Sequence, residues 1–191
     1  LSLLFVFATF NLPSSRDGYE HTYEAFFVMF SYAIAILHSN RVKISPEDKA
    51  QHLLVISGFL LGLGMLFRPT TVLALPGLLI ICGNLRGVTK VFAGLFPGMV
   101  ILGLYNALRF GSPLESGYQQ AWLAANPGLV NTFDLSQMIS QSLYLWGSPG
   151  KGMLFFSPIL LALLLQPFLA WRRNPSIMGS VLLTAFLYTL F

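Results

Sequence analysis

His52–Gly83 reads HLLVISGFLLGLGMLFRPTTVLALPGLLIICG, a 32-residue apolar stretch with one arginine, Arg68, near its middle. A single membrane-spanning helix takes about 20 residues, so the stretch is too long for one crossing and just long enough for two. Pro69 follows the arginine, and a proline disfavours a continuous helix because it lacks a backbone donor. We therefore predict two short helices, 52–67 and 70–83, that meet at a polar break.

The arginine at this break needs a polar partner. A charged side chain at the centre of a bilayer costs about 2.5–3.5 kcal/mol on insertion scales, so we expect Arg68 to bind an anion or to face a wet cavity. Its forked guanidinium suits a phosphate or pyrophosphate, and the hydroxyls of Thr70 and Thr71 could add donors. The alternative is that Arg68 only extends to the interface with its head group in water.

Composition indicates a membrane protein. Apolar residues make up 55% of the chain, charged residues make up 9%, and the mean hydropathy is +0.70, whereas soluble domains carry about 25% charged residues. The formal net charge is +4, but the eleven lysines and arginines are scattered, which argues against a nucleic-acid partner. Cys82 is the only cysteine, so no disulfide can form within the chain. We predict an all-α polytopic membrane protein.

Apolar blocks predict the other spans of this transmembrane domain and one long loop. The loop, residues 109–151, is rich in aromatic side chains, which favour the membrane interface, so we expect short helices lying on the outer face there. The chain starts and ends inside apolar blocks, and we expect it to be a fragment of a longer protein, truncated at both ends. The predicted spans outside the central stretch are 1–11, 24–39, 91–108, 152–171 and 177–191.

The distribution of cations predicts the orientation. Seven of the eleven lysines and arginines lie in the segments 39–51, 84–90 and 172–176, which the positive-inside rule assigns to the cytoplasmic side. The other four lie in longer polar stretches on the non-cytoplasmic side, where we expect the chemistry. These four are Arg16, Arg68, Arg109 and Lys151.

Two of these cations lie beside turn-forming residues. A turn at Gly111 and Pro113 would keep Arg109 and Glu115 near the membrane surface, where both could contact a ligand. The alternative is an Arg–Glu pair that only fixes the loop. Lys151 is flanked by glycines, so backbone amides and its ammonium group could approach an anion closely. The alternative there is a flexible hinge with an interfacial lysine.

The densest cluster of titratable residues precedes the span at 24–39. His21 and Glu24 are three residues apart and share a helix face if this segment is helical. Because imidazole and carboxylate are both metal ligands, a divalent metal is possible here. The alternative is a solvated helix start.

Small residues on the first short helix predict how it packs. Gly58 and Gly62 stand four residues apart, and Gly64 follows closely. This spacing lets helix backbones approach each other in membranes. We therefore expect another helix to pack against this face.

Three blocks of sequence, in order, resemble one family. They run from Gly62 to Thr70 (GLGMLFRPT), from Tyr105 to Tyr118 (YNALRFGSPLESGY) and from Ser148 to Pro158 (SPGKGMLFFSP). Together they resemble bacterial and archaeal membrane glycosyltransferases of the GT-C fold. The nearest likeness is to the protein mannosyltransferase and aminoarabinose transferase group. The resemblance covers about residues 52–160.

The resemblance implies an inverting transferase that moves a sugar from a polyprenyl- or dolichyl-phosphate donor to an acceptor outside a bacterial or archaeal cell membrane. The catalytic base of that group is an Asp or Glu in its first outer loop. No part of this chain matches that loop, so the base is expected upstream. The residues expected to bind the lipid-linked donor are Arg68, Arg109, Lys151, Glu24 and Glu115.

Two other classes of protein fit part of the same pattern. A transporter or flippase could use a broken helix over 52–83 as an anion site around Arg68, because such proteins bind substrates at discontinuous helices. No second Arg-Pro break occurs at a matching position. A non-catalytic scaffold would use the cations only as interfacial anchors.

Overall fold

The computed structural model describes residues 20–44, 50–115, 135–148 and 174–190, and all regular structure within these ranges is helical. For this part of the chain the all-α prediction is confirmed. The predicted spans 1–11 and 152–171, together with Lys151, lie outside the described residues. The elements are α1 Glu20–Ile44, α2 His52–Phe67, a 3-10 helix Pro69–Ala74, α3 Leu75–Cys82, α4 Leu85–Phe110, α5 Leu135–Gly147 and α6 Pro175–Leu190.

The central apolar stretch folds back on itself at Arg68. Because Pro69 disfavours a helical conformation of the residue before it, Arg68 is extended (φ −145°, ψ 123°) and α2 ends one residue earlier. The returning segment runs antiparallel to α2, since Gly87 lies against both Leu54 near the start of α2 and Cys82 at the end of α3. The two short helices thus form a hairpin whose tip carries the arginine.

Helices α1 and α6 flank this hairpin. α1 runs antiparallel to α2, because His38 Nδ1 lies 3.0 Å from the Ala50 carbonyl oxygen and Ser31 Oγ donates to the Ser57 carbonyl oxygen (2.9 Å). α6 packs on α3 and on the 3-10 helix. Apolar side chains fill the space between the helices. Among the fully buried ones are Leu54, Leu61, Leu78, Val91 and Leu95.

Helices α2 and α4 run parallel and pack through glycines. A Cβ atom on Gly58 would overlap the Val91 carbonyl oxygen, and one on Gly94 would overlap the Val55 carbonyl oxygen. No side chain separates the two backbones at these points. The close packing predicted from the glycine spacing on α2 is confirmed, and it sets the register between the hairpin and α4.

Four chain segments meet at one end of the bundle, which we call the Arg68 end: the start of α1, the hairpin tip, the end of α4 and the end of α6. Gly98 of α4 packs on Gly62 of α2, and the two helices run parallel. Arg68, six residues after Gly62, therefore lies level with the α4 residue that is six positions after Gly98. Arg109 then lies about 7 Å farther along the axis. The exposed residues Arg41, Arg86 and Lys90 lie at the opposite end.

Two of the described helices are long and apolar enough to cross a membrane. They are Thr22–Val42 within α1 and Leu85–Phe110, and only 22% and 28% of their most apolar windows are buried in the bundle. The core helix of a soluble protein is mostly covered by its neighbours, whereas these helices expose large apolar side chains. Length, composition and exposure make both helices candidate membrane spans.

Candidate functional site

A buried carboxylate lies at the Arg68 end of the bundle. Glu24, on the first turns of α1, is only 5% exposed. Its Oε1 atom accepts hydrogen bonds from Thr70 Oγ1 (2.9 Å), Thr71 Oγ1 (3.3 Å) and the Tyr188 hydroxyl (2.9 Å). Three donors from two other elements thus satisfy one oxygen of this group, as burial of an ionised carboxylate requires.

The second carboxylate oxygen faces the arginine of the hairpin tip. Arg68 Nη1 lies 3.6 Å from Glu24 Oε2, and the two side chains are 24% and 6% exposed. At this distance the groups form an ion pair rather than a direct hydrogen bond. The pair compensates the buried charge of Glu24, while part of the Arg68 side chain still reaches the surface.

Local sequence explains how the hairpin tip presents these groups. Pro69 occupies the first position of the 3-10 helix, where its missing N–H group is not needed. Thr70 and Thr71 therefore fall in the first turn, and the Thr71 amide donates to the Arg68 carbonyl oxygen (3.1 Å). Thr71 also packs directly against Gly64 of α2. The tip is thus held against the end of α2 with both hydroxyls near α1.

A second polar group anchors α6 against the hairpin. The Tyr32 hydroxyl donates to the Ala74 carbonyl oxygen (2.8 Å) and shares a 2.5 Å hydrogen bond with Thr184 Oγ1. Thr184 lies one turn before Tyr188 on the same face of α6. The contact therefore fixes the rotation of α6 that brings the Tyr188 hydroxyl to Glu24.

Arg109 lies at the same end of the bundle but has different partners. Its guanidinium donates to the Tyr105 hydroxyl and lies over the rings of Tyr105 and Phe110, 5.7 Å and 5.3 Å from their centroids. Within the described ranges no ion pair joins it to Glu115, whose Oε1 atom is buried without a hydrogen-bond partner there. The Arg–Glu pair that the sequence left open as an alternative is not formed.

The predicted site residues thus fall into three groups. Glu24 and Arg68 are brought together, Arg109 and Glu115 flank the end of α4, and Lys151 lies outside the described residues. Sequence reasoning missed Tyr188 as a partner of Glu24. A usable signal exists, because Ser180, Thr184 and Tyr188 recur every four residues in an apolar helix. Such spacing predicts one polar face directed at another element.

Across the described ranges no group of three or more His, Cys, Asp or Glu side chains could hold a metal ion. No family model, no curated protein and no solved structure matches the chain. The geometry around Glu24 and Arg68 and the three motif blocks are the features that point to a function.

The Tyr188 hydroxyl offers a direct test of this geometry. We expect Tyr188→Phe to lower the free energy of unfolding by about 1–2 kcal/mol, because it removes one of three donors to a buried charged group. The matched control is Tyr144→Phe in α5, where the side chain is exposed and a change of less than about 0.5 kcal/mol is expected. Unfolding in mixed detergent micelles measures both. Equal effects would contradict the hydrogen bond to Glu24.

Proposed function

We propose that this chain is part of an integral membrane glycosyltransferase that takes a sugar from a polyprenyl- or dolichyl-phosphate donor. In this proposal Arg68 binds the lipid phosphate on the non-cytoplasmic side of a bacterial or archaeal cell membrane. One observation supports the binding half of the proposal most strongly: Arg68 is anchored by a buried carboxylate yet remains 24% exposed. The sugar-transfer half rests on the three motif blocks.

The geometry suits a group that binds an anion repeatedly. A guanidinium held in place loses little side-chain freedom when a phosphate arrives, so more of the interaction appears as affinity. Glu24 and Arg68 together carry no net charge, so the affinity for phosphate comes mainly from the oriented N–H donors of the guanidinium. These donors matter most when the sugar departs, because negative charge then develops on the phosphate.

Arg109 is suited to the first contact with the donor. It is exposed on the last turn of α4 and lies about 7 Å nearer that end of the bundle than Arg68. A lipid head group moving from the interface toward Arg68 would pass it. Glu115 is half-buried on the turn that follows α4, and its carboxylate is proposed to accept a hydrogen bond from a sugar hydroxyl. Lys151 is proposed as a third cation for the phosphate.

Glu24 is proposed as an anchor rather than as the catalytic base. A base must reach the proton that it removes, whereas Glu24 is 5% exposed and its Oε1 atom already accepts three hydrogen bonds. The base is expected on an outer loop upstream, as the resemblance implies. The proposed role of Glu24 is to hold the Arg68 guanidinium at the hairpin tip.

The deciding experiment replaces Arg68 in the full-length protein. We expect Arg68→Ala to reduce consumption of undecaprenyl-phosphate-linked sugars in proteoliposomes by about 100-fold, the scale seen when one donor to a developing oxyanion is removed. Arg68→Lys should retain intermediate activity because it keeps the charge but loses the fork. A panel of lipid-linked hexoses and aminoarabinose, with membrane extract as acceptor, avoids assuming one sugar.

The matched control is Arg86→Ala, which removes an exposed arginine at the opposite end of the bundle and should leave donor consumption unchanged. Unchanged consumption in Arg68→Ala, with normal insertion, would favour a scaffold. A transporter or flippase would instead lose movement of anionic lipid across vesicles that never show sugar transfer. Both results would overturn the proposal.

A further inference from the structure

An aromatic patch lies beside the Glu24–Arg68 pair on the outer face of α1 and α2. The Phe67 ring is stacked with Tyr23 (centroids 5.1 Å apart) and with Phe27 (5.5 Å). Phe26 makes an edge contact with Phe27 and lies 4.5 Å from Phe30. Five rings thus form one continuous surface, which we call the aromatic patch.

The patch is open on one side. Tyr23, Phe26, Phe30 and Phe67 are each 44–51% exposed, whereas Glu24 on the neighbouring face of α1 is 5% exposed. The four α1 rings follow the spacing i, i+3, i+4, i+7, so they form one stripe along the helix. Each exposed ring therefore has part of its surface packed and part available to a ligand.

The patch is continuous with the arginine of the hairpin tip. Phe67 directly precedes Arg68, and Tyr23 directly precedes Glu24. The stripe runs from this point along α1 for seven residues, which is about 10 Å, toward the middle of the bundle. A lipid whose phosphate contacts Arg68 would therefore place the first part of its hydrocarbon chain against the rings.

We propose that the aromatic patch binds the phosphate-proximal isoprene units of a prenyl-phosphate lipid whose phosphate contacts Arg68. This inference rests on the proposed function, since it concerns the donor of the same site. Rings stacked on one another have little freedom to lose on binding, and aromatic faces give large apolar contact areas. The positive guanidinium at one end of the patch complements the negative phosphate at one end of the lipid.

The length of the patch predicts how affinity depends on chain length. About 10 Å of patch contacts only the first few isoprene units, so farnesyl phosphate should bind much more tightly than dimethylallyl phosphate. Still longer chains should add little at this surface. The protein in nanodiscs of zwitterionic phosphatidylcholine, titrated with each compound and followed by native mass spectrometry, gives the affinities.

Variants separate the patch from the phosphate contact. We expect Phe67→Leu to weaken farnesyl phosphate about tenfold and dimethylallyl phosphate less than about twofold, because it removes the central stacked ring but keeps an apolar side chain. Phe96→Leu, at an exposed α4 position outside the patch, is the control and should change neither affinity. Arg68→Ala should weaken both compounds.

Each outcome has a distinct meaning. Unchanged farnesyl phosphate binding in Phe67→Leu would overturn the proposed role of the aromatic patch. Equal competition by phosphatidic acid would also overturn it, because the patch would then be a general lipid-binding surface. Unchanged dimethylallyl phosphate binding in Arg68→Ala would instead overturn the phosphate contact of the proposed function. If Phe67→Leu fails to insert, Phe26→Leu at the exposed edge of the patch replaces it, with a loss of about threefold expected for farnesyl phosphate alone.

Discussion

Glu24→Ala is expected to lower the free energy of unfolding by about 3 kcal/mol. The change leaves three hydroxyl donors without their shared acceptor, and buried donors without partners cost about 1–3 kcal/mol each when they cannot reorient. It also leaves Arg68 without its carboxylate. Breaking a buried ion pair costs about 3–5 kcal/mol, but Arg68 is 24% exposed, so solvent reduces that part of the loss.

Two further variants separate hydrogen bonding from charge. Glu24→Gln keeps an oxygen for the three hydroxyls but directs an amide toward Arg68, so a smaller loss of about 1–2 kcal/mol is expected. The double variant Glu24→Ala with Arg68→Ala also removes the cation that Glu24 faces, and it should be less destabilised than the sum of the single variants. Unfolding in mixed detergent micelles is measured for the wild type, the two single alanine variants, the glutamine variant and the double variant. Strictly additive losses would contradict the ion pair.

Gly94→Ala is the second substitution with a large expected effect. Its added Cβ would overlap the Val55 carbonyl oxygen and would lie 2.8 Å from the Phe59 amide nitrogen. Both atoms belong to the α2 backbone, so relief requires α2 and α4 to separate. Overpacking lowers the free energy of unfolding by about 1–3 kcal/mol and occasionally more. We expect a loss of about 3 kcal/mol for Gly94→Ala, because close backbone packing is the main source of association between membrane helices.

The control for this variant lies in the same helix. Gly103→Ala places a Cβ 3.7 Å from the Pro113 Cβ, which is an ordinary contact. Alanine is favoured over glycine in a helix interior by about 0.5–1 kcal/mol, so stability should stay the same or rise slightly. If both variants behave alike in the unfolding measurement, the glycine contact between α2 and α4 is contradicted.

Sequence reasoning succeeded where the physics is local. A proline next to a charge inside a long apolar stretch requires a helix break, and α2 ends directly before Arg68. Glycines four residues apart predicted close packing of α2, and Gly58 lies on α4. Helix bounds were less predictable: α1 covers Glu20–Ile44 where a span at 24–39 was predicted. Polar residues can extend a helix beyond its apolar block, which hydropathy does not detect.

The partners of the candidate site depended on contacts between distant segments. Glu24 and Thr70 are 46 residues apart, and Glu24 and Tyr188 are 164 residues apart. No local sequence pattern predicts that the hydroxyls of Thr70 and Tyr188 donate to the same carboxylate oxygen of Glu24. Arg109 and Glu115 show the converse. The turn at Gly111 and Pro113 left a pair between them as one alternative, whereas the guanidinium contacts Tyr105 one turn earlier.

The helical class, the break at Arg68 and the glycine face of α2 could all be predicted from the sequence, because each follows from covalent geometry and hydropathy within a few residues. The ion pair between Glu24 and Arg68, in contrast, depends on how the helices pack. The antiparallel packing of α1 on the hairpin places the two side chains at one level, and the rotation of α6 adds the Tyr188 hydroxyl. A buried carboxylate takes whichever donors the packing of its helices brings within reach.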